Sequence, residues 1–186
     1  MKRLFDLILV AIVSTVFFLP FILLCIAIYF TSEGPVIYWS SRVGRDNKIF
    51  MMPKFRSMRV TTPQVATHLL KKNVSYLTPI GSFIRKSSLD ELPQLFSIIK
   101  GDMSFVGPRP ALFNQYDLIK LRSDAGVHKI VPGITGWAQI NGRDNISITE
   151  KVLLDIEYMH RQSLWFDLKI LCLTLLKVVG CDDISH

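Results

Sequence analysis

The 186-residue sequence has only three cysteines and four histidines, and neither set forms a recognisable site. The cysteines are an odd number at spacings that fit neither a disulfide framework nor a zinc site: Cys25, Cys172 and Cys181. The histidines are equally scattered and include no pair at the i, i+4 spacing of a helical metal site: His68, His128, His160 and His186. A disulfide-stapled scaffold and a zinc enzyme are therefore not expected.

The chain also lacks internal repeats, low-complexity tracts and any dense basic run. Its 22 Lys and Arg residues exceed its 15 Asp and Glu residues and give a formal net charge of +7. This balance favours anionic partners such as lipid, phosphate or nucleic acid. No recognisable nucleic-acid-binding motif is present, so nucleic acid is not an expected partner. The length suits one compact domain with a short appendage.

The amino-terminal segment is the longest apolar run. Between Leu4 and Phe30 the only charged residue is Asp6. About 27 residues form a helix about 40 Å long, which exceeds the ~30 Å hydrocarbon core of a bilayer. No small-residue cleavage site follows, so a signal peptide is not supported. Length alone predicts a membrane-spanning helix.

Two observations favour a bent helix that re-enters the same membrane face. Pro20 lies inside the run and predicts a kink near Leu19 and Pro20. Basic residues flank both ends of the run, which favours the cytoplasm for both ends. Kinked spanning helices also contain proline, so the residues alone leave both interpretations open.

The remainder predicts a small, mostly helical α+β domain. Val36 to Met58 is typical of a β-hairpin around Arg45 to Lys48. Segments 131–136 and 141–145 are rich in turn residues and are expected to be irregular. The predicted helices are Pro93 to Lys100, Leu112 to Arg122, Ile148 to Gln162 and Leu164 to Val179. The last of these suits either a membrane-interface helix or a core helix.

Two adjacent carboxylates, Asp90 and Glu91, lie near the start of a predicted helix. One interpretation is a capping box in which Ser88 is the cap and Glu91 bonds back to its amide. Pro93 weakens that interpretation, because it disfavours a helical conformation at Leu92. The alternative places both carboxylates in a loop, ionised, as a nucleophile or magnesium ligand must be.

Basic residues in short, turn-bounded segments form a second candidate feature. Arg109 lies between Pro108 and Pro110, which reduces the entropy lost when its guanidinium binds a phosphate. Several other cations lie in similar segments and suit a diphosphate: Lys54, Arg56, Arg59, Arg85, Lys86 and Arg143. The glycine-rich stretch from Pro132 to Arg143 fits either a close ligand approach or a tight turn.

These segments together resemble the bacterial sugar transferase family, the monotopic phosphoglycosyl transferases that start glycan assembly on polyprenyl phosphate. The resemblance rests on four motifs: Lys54 to Met58, Ser88 to Leu95, Lys100 to Pro110, and Pro132 to Arg143. It implies a re-entrant membrane helix over residues 1–31, broken at Pro20, and a catalytic domain over 32–186 at the membrane interface. Many members carry serine before this proline, whereas this chain has Leu19.

The resemblance also implies roles for individual residues. Asp90 is expected to be the nucleophile, and Glu91 its partner, with both holding Mg²⁺. Lys54, Arg85, Arg109 and Arg143 are expected to bind the phosphates. Asp155 and Asp167 match acidic positions near the family's carboxy-terminal helices, without an assigned role.

The expected reaction transfers a sugar-1-phosphate from a UDP-sugar to undecaprenyl phosphate and releases UMP, through a phosphosugar–aspartyl intermediate. The expected location is the cytoplasmic face of the bacterial inner membrane, in contact with membrane lipid. The sugar, the pathway and the formation of a homodimer stay open. A non-enzymatic module that binds anionic lipid is the alternative from a different class.

Overall fold

The computed structural model describes residues 1–63, 76–142 and 146–180 of the chain. The fold is a mixture of helix and strand, 58% helical, which agrees with the expected α+β class. The helices are α1 Lys2–Val16, α2 Phe18–Thr31, α3 Gly81–Lys86, α4 Leu95–Lys100, α5 Tyr116–Asp124, α6 Trp137–Ile140, α7 Ile148–Arg161 and α8 Leu164–Gly180. The strands are β1 Ile37–Val43, β2 Ile49–Phe55, β3 Ser104–Val106, β4 Ala111–Leu112 and β5 Gly133–Thr135.

The predicted hairpin is confirmed. Strands β1 and β2 pair antiparallel, from Ile37 opposite Phe55 to Val43 opposite Ile49. A short 3₁₀ segment, Arg45–Asn47, joins them. Asp46 and Asn47 have φ values of 55° and 58°, a conformation that Asp and Asn tolerate better than most residues.

Strand pairing beyond the hairpin was not predicted. Strand β4 adds to β1 and gives the order β2-β1-β4, while β3 and β5 form a separate parallel pair. The expectation that residues 131–136 are irregular is therefore wrong at Gly133–Thr135. A Cβ on Gly133 would lie 2.1 Å from the Gly107 nitrogen, so glycine is required where these two backbones meet. The glycines of this stretch serve close backbone packing.

The predicted helices differ from the observed ones mainly at their first residues. Helix α4 begins at Leu95 rather than at Pro93, which lies in a 3₁₀ segment, Leu89–Gln94. It ends at Lys100 as predicted, followed by Gly101 at φ 93°. Helix α5 begins at Tyr116 instead of Leu112, because Leu112 belongs to β4. Helices α7 and α8 agree with the prediction to within one residue.

The break in the amino-terminal segment lies at Phe17, three residues before Pro20. The two limbs, α1 and α2, are bent by 63° relative to each other. Proline lacks an N–H for the carbonyl of the residue four positions earlier, and its ring crowds that carbonyl, here that of Val16. The kink that was expected at Leu19 and Pro20 is therefore displaced to the end of the preceding turn.

Both limbs pack against the rest of the chain. Buried Asp6 of α1 accepts hydrogen bonds from the Ser104 hydroxyl at 3.0 Å and the Phe105 amide at 3.1 Å. Ile28 of α2 is fully buried in a cluster with Phe55 and Ile84. The bent pair is thus anchored at each end to the strands and helices that follow it.

No helix among the described residues is by itself long and apolar enough to cross a bilayer. Only α1 and α2 taken together meet that test, by length and composition. Large apolar side chains are exposed along both limbs and on α8, where Trp165 is 83% exposed. Phe166 and Ile170 of α8 are buried, so this helix contributes to the core as well.

Candidate active site

Asp90 and Glu91 lie in the 3₁₀ segment that precedes α4. The capping-box interpretation is wrong at this position, because Ser88 has a left-handed φ of 56° and makes no side-chain cap bond. The Glu91 side chain points instead to two cations. The capping box found in the structure is at α7, between Ser147 and Glu150.

Lys54 and Arg109 converge on the carboxylate pair. The Lys54 ammonium lies 2.9 Å from Glu91 Oε1 and 3.5 Å from Asp90 Oδ2. Arg109 Nη2 lies 2.8 Å from the same Glu91 oxygen. Lys54 comes from β2 and Arg109 from the loop after β3, so three separate segments meet here. The structure brings these four predicted residues into one site.

The two carboxylates differ in their electrostatic environments. Burial raises the pKa of Asp90, and the positive charge of Lys54 opposes this effect. Burial also disfavours ionised Glu91, but Arg109 and Lys54 outweigh it and hold the pKa of Glu91 well below its usual range. Glu91 is therefore a firmly ionised anchor for cations, whereas Asp90 is a less stabilised anion. A nucleophilic carboxylate benefits from weak stabilisation of its charge.

A buried ion pair supports the loop that carries Arg109. Arg122 of α5 donates from Nε and Nη2 to Asp155 Oδ2, at 2.9 and 2.6 Å. Its Nη1 donates to the main-chain carbonyl of Arg109 at 2.7 Å. Asp155, which the sequence left without a role, therefore positions Arg109 through Arg122.

Asp167 has a comparable structural role. Its carboxylate lies 2.5 Å from the Lys2 ammonium and accepts a hydrogen bond from the Tyr158 hydroxyl at 2.8 Å. Tyr158 lies 3.1 Å from the carbonyl of Val106, which immediately precedes Gly107 and the Arg109 loop. Asp167 thus connects the start of α1 to the base of the active-site loop.

A cavity of about 230 Å³ adjoins the site. Its charged lining residues are Glu91 and Arg109, which belong to the site, and Lys177 of α8. Its walls are mainly apolar and include Val13 from α1 as well as Leu92, Leu95, Phe105 and Ile134. The space therefore joins the polar site to the amino-terminal helix pair.

The other predicted phosphate ligands have different outcomes. Arg85 of α3 lies close enough to lower the pKa of Asp90 through its charge. Arg143 lies outside the described residues. Arg56 is buried and donates to the carbonyl of Pro35 at 2.8 Å, which is a structural contact. Arg42 was not predicted, although the two-residue period of the hairpin places it on the same sheet face as Lys54.

The donor set fits a magnesium ion held jointly with a substrate. No group of three or more His, Cys, Asp or Glu side chains that could hold a metal occurs in the described part of the chain. Mg²⁺ is nevertheless commonly bound by one or two carboxylates together with substrate phosphates and water. Asp90 and Glu91 already converge on one cation, the Lys54 ammonium. A divalent ion that contacts both carboxylates is compatible with this arrangement.

A family model described as bacterial sugar transferase matches residues 1–181. The protein named Uncharacterized sugar transferase EpsL of Bacillus subtilis (strain 168) is 44% identical over 191 residues, which cover 100% of this chain and 91% of that protein.

Other similar proteins are much longer. Galactosyl transferase CpsE of Streptococcus agalactiae serotype III (strain NEM316) is 44% identical over 158 residues, 78% of this chain and 35% of that protein. The UDP-glucose:undecaprenyl-phosphate glucose-1-phosphate transferase of Escherichia coli (strain K12) is 38% identical over 184 residues, 95% of this chain and 40% of that protein. The chain thus spans about two fifths or less of the length of these two relatives.

Proposed function

Because the chain belongs to the bacterial sugar transferase family, we propose that it transfers a sugar-1-phosphate from a UDP-sugar to undecaprenyl phosphate. The products are undecaprenyl-diphosphate-sugar and UMP, and the reaction is the first membrane step in the assembly of a glycan such as an O-antigen, capsule, exopolysaccharide or glycoprotein glycan. The observation that carries the proposal is the convergence of Lys54 and Arg109 on Asp90 and Glu91, beside a largely apolar cavity.

The first step is nucleophilic attack by Asp90. A carboxylate oxygen of Asp90 forms a bond to the β-phosphorus of the UDP-sugar, and the bond from that phosphorus to the bridging oxygen breaks. The electron pair stays on the bridging oxygen, which leaves as part of UMP. The raised pKa of Asp90 is consistent with a carboxylate whose charge is only weakly stabilised before attack.

In the second step, a phosphate oxygen of undecaprenyl phosphate attacks the phosphosugar–aspartate. The bond between phosphorus and the Asp90 oxygen breaks, and the free carboxylate is restored. One site thus uses the two substrates in turn, which is a ping-pong mechanism.

The cations around the carboxylates offset the charge of the diphosphate. Lys54 and Arg109 contact Glu91, the charges of Lys54, Arg85 and Arg109 act on Asp90, and Arg143 is the fourth phosphate ligand in the proposal. Asp90 and Glu91 would hold Mg²⁺, which when bound supplies further neutralisation of phosphate charge. Glu91 keeps Arg109 and Lys54 in place through contacts of 2.8 and 2.9 Å.

The acceptor requires a route from the membrane to the carboxylates. We assign residues 1–31 to a re-entrant anchor, with both ends on the cytoplasmic side, and residues 32–186 to a catalytic domain at the inner-membrane surface. The exposed apolar side chains of α1 and α2 support this placement. The cavity next to Glu91, with Val13 of α1 in its wall, suits the first isoprene units of the acceptor.

Release of UMP from a panel of UDP-sugars tests the function directly. We expect the purified chain with Mg²⁺ to release UMP from at least one donor in the presence of undecaprenyl phosphate, and Asp90→Asn to release none. Asp102→Asn is the matched control, since in the described part of the chain the ion pair of Asp102 is with the exposed Lys100, at 3.5 Å. The panel includes plain hexoses and N-acetylated sugars, because the sugar is not determined. Lipid binding without release from any donor would favour a lipid-binding module instead.

A further inference from the structure

Arg42 lies on the same face of the hairpin as the active-site residue Lys54. In the observed register Tyr38 is opposite Lys54, and Tyr38, Ser40 and Arg42 share one face of β1. Arg42 Nε donates to the Ser40 hydroxyl at 3.1 Å, and Nη1 donates to the carbonyl of Pro110 at 3.2 Å. The guanidinium therefore contacts the loop that carries Arg109.

The charge of Arg42 has no close counter-ion. Its two hydrogen-bond partners are neutral, and in the described part of the chain no carboxylate lies within 4.0 Å of it. Burial and the neighbouring Arg109 charge lower the pKa of Arg42 to about 10, although Glu91 and Tyr38 act in the opposite direction. By contrast, Lys54 and Arg109 each form an ion pair with Glu91. A half-buried cation held only by neutral groups is stabilised when an anion binds.

The position of Arg42 favours one of the two phosphates in a nucleotide sugar. The charges that affect Asp90 are those of Lys54, Glu91, Arg85 and Arg109. The charges that affect Arg42 are those of Arg109, Glu91 and Tyr38. Arg42 also donates to the carbonyl of Pro110, the residue that follows Arg109, and therefore lies on the Arg109 side of the site. A diphosphate whose β-phosphorus lies at Asp90 would extend its other phosphate past Arg109 towards Arg42.

We propose that Arg42 binds the α-phosphate of the nucleotide sugar, the group that leaves as UMP. The proposal rests on the proposed transferase function. Arg42 Nη2 makes no hydrogen bond to any described residue, so its donors are available to the leaving phosphate. When Asp90 bonds to the β-phosphorus, the electron pair of the broken bond stays on the bridging oxygen of the α-phosphate. The Arg42 cation offsets the charge that develops there.

Anion binding to the full-length chain tests this role without turnover. In an Asp90→Asn background, we expect Arg42→Gln to weaken the binding of UMP and of inorganic diphosphate about tenfold, the loss of one charge-assisted contact. Arg42→Lys should restore part of the affinity, since it keeps the charge. Arg45→Gln is the matched control, because Arg45 lies in the exposed hairpin turn and pairs only with Asp46 at 3.5 Å among the described residues.

Thermal unfolding separates phosphate binding from support of the loop. If Arg42 serves the ligand, diphosphate raises the unfolding temperature of Arg42→Gln less than that of the parent, whatever the unfolding temperature of the unliganded variant. A lower unfolding temperature with unchanged UMP and diphosphate affinities would overturn the proposal and leave Arg42 as a support for the Pro110 carbonyl. Absence of diphosphate binding to the parent would overturn it as well.

Failure of the proposed function gives a different result. In that case the wild-type chain releases no UMP from any UDP-sugar, while the comparison of diphosphate affinities still decides the role of Arg42. Weaker diphosphate binding by Arg42→Gln then supports an anion site at Arg42 without the transferase reaction. Equal binding by parent and variant overturns that site.

Discussion

Arg122 and Asp155 form a buried ion pair in which one carboxylate oxygen accepts two hydrogen bonds, at 2.6 and 2.9 Å. Both side chains are at least nine-tenths buried. Because the third contact of Arg122 is the main-chain carbonyl of Arg109, the pair holds the active-site loop as well as helices α5 and α7. Charge burial of this kind is costly unless both partners are present.

The first prediction concerns this pair. Asp155→Asn leaves the buried Arg122 charge uncompensated, which should destabilise the fold by on the order of 3 kcal/mol and lower Tm by roughly 6–12 °C. The KM for the UDP-sugar should also rise, since Arg109 loses its support. Thermal unfolding and UMP release measure the two effects. Asp102→Asn, which removes one partner of an ion pair with the exposed Lys100, should change Tm little. An unchanged Tm and KM in Asp155→Asn would contradict the positioning role.

The second prediction concerns the covalent intermediate. If Asp90 carries the phosphosugar, labelled UMP should exchange into the UDP-sugar pool in the absence of lipid, because the first step is reversible. Asp90→Asn should reduce the exchange by roughly a thousandfold or more. Exchange that starts only when undecaprenyl phosphate is added would instead indicate direct transfer between the two substrates.

The third prediction concerns the attachment of α1. Asp6→Ala removes the acceptor of the Ser104 hydroxyl and the Phe105 amide, and both donors are buried. Two unsatisfied donors should cost about 2–3 kcal/mol, and Tm in detergent should fall by roughly 5–10 °C. Thr15→Val is the control, because the exposed Thr15 hydroxyl donates to the Ala11 carbonyl of its own helix. Equal Tm values for the two variants would show that Asp6 does not anchor the helix.

Local sequence patterns predicted the parts of the fold that depend on neighbouring residues. The hairpin follows from Asp46 and Asn47, which accept a left-handed backbone. The end of α4 follows from Gly101 at φ 93°. Strands β4 and β5 could not be predicted in this way, because their two or three residues are held by partners distant in the chain, such as Ser104 opposite Gly133.

The active-site residues likewise fall into those that local motifs predicted and those whose role depends on distant parts of the chain. Asp90, Glu91, Lys54 and Arg109 were predicted from motifs and do lie together. Arg122 was missed because its role depends on a carbonyl from another segment. The alternation of side chains along β1 places Arg42 on the same face as Tyr38. Its proximity to the active site, however, follows only from the hairpin register and the position of the Arg109 loop.

The last prediction concerns the bend at Phe17. Pro20 cannot donate to the Val16 carbonyl, and Pro20→Ala supplies the missing N–H and removes the ring. Helices α1 and α2 should then join into one apolar helix from Lys2 to Thr31, about 45 Å long and sufficient to cross a bilayer.

We expect a cysteine placed before Lys2 to change from protected to reactive toward an impermeant thiol reagent added outside intact cells, in a chain whose native cysteines are replaced. Leu19→Ala is the control, since Leu19 is exposed and keeps Pro20 in place. Protection that persists in Pro20→Ala would mean that the packing of Asp6 and Ile28 holds the bend without the proline.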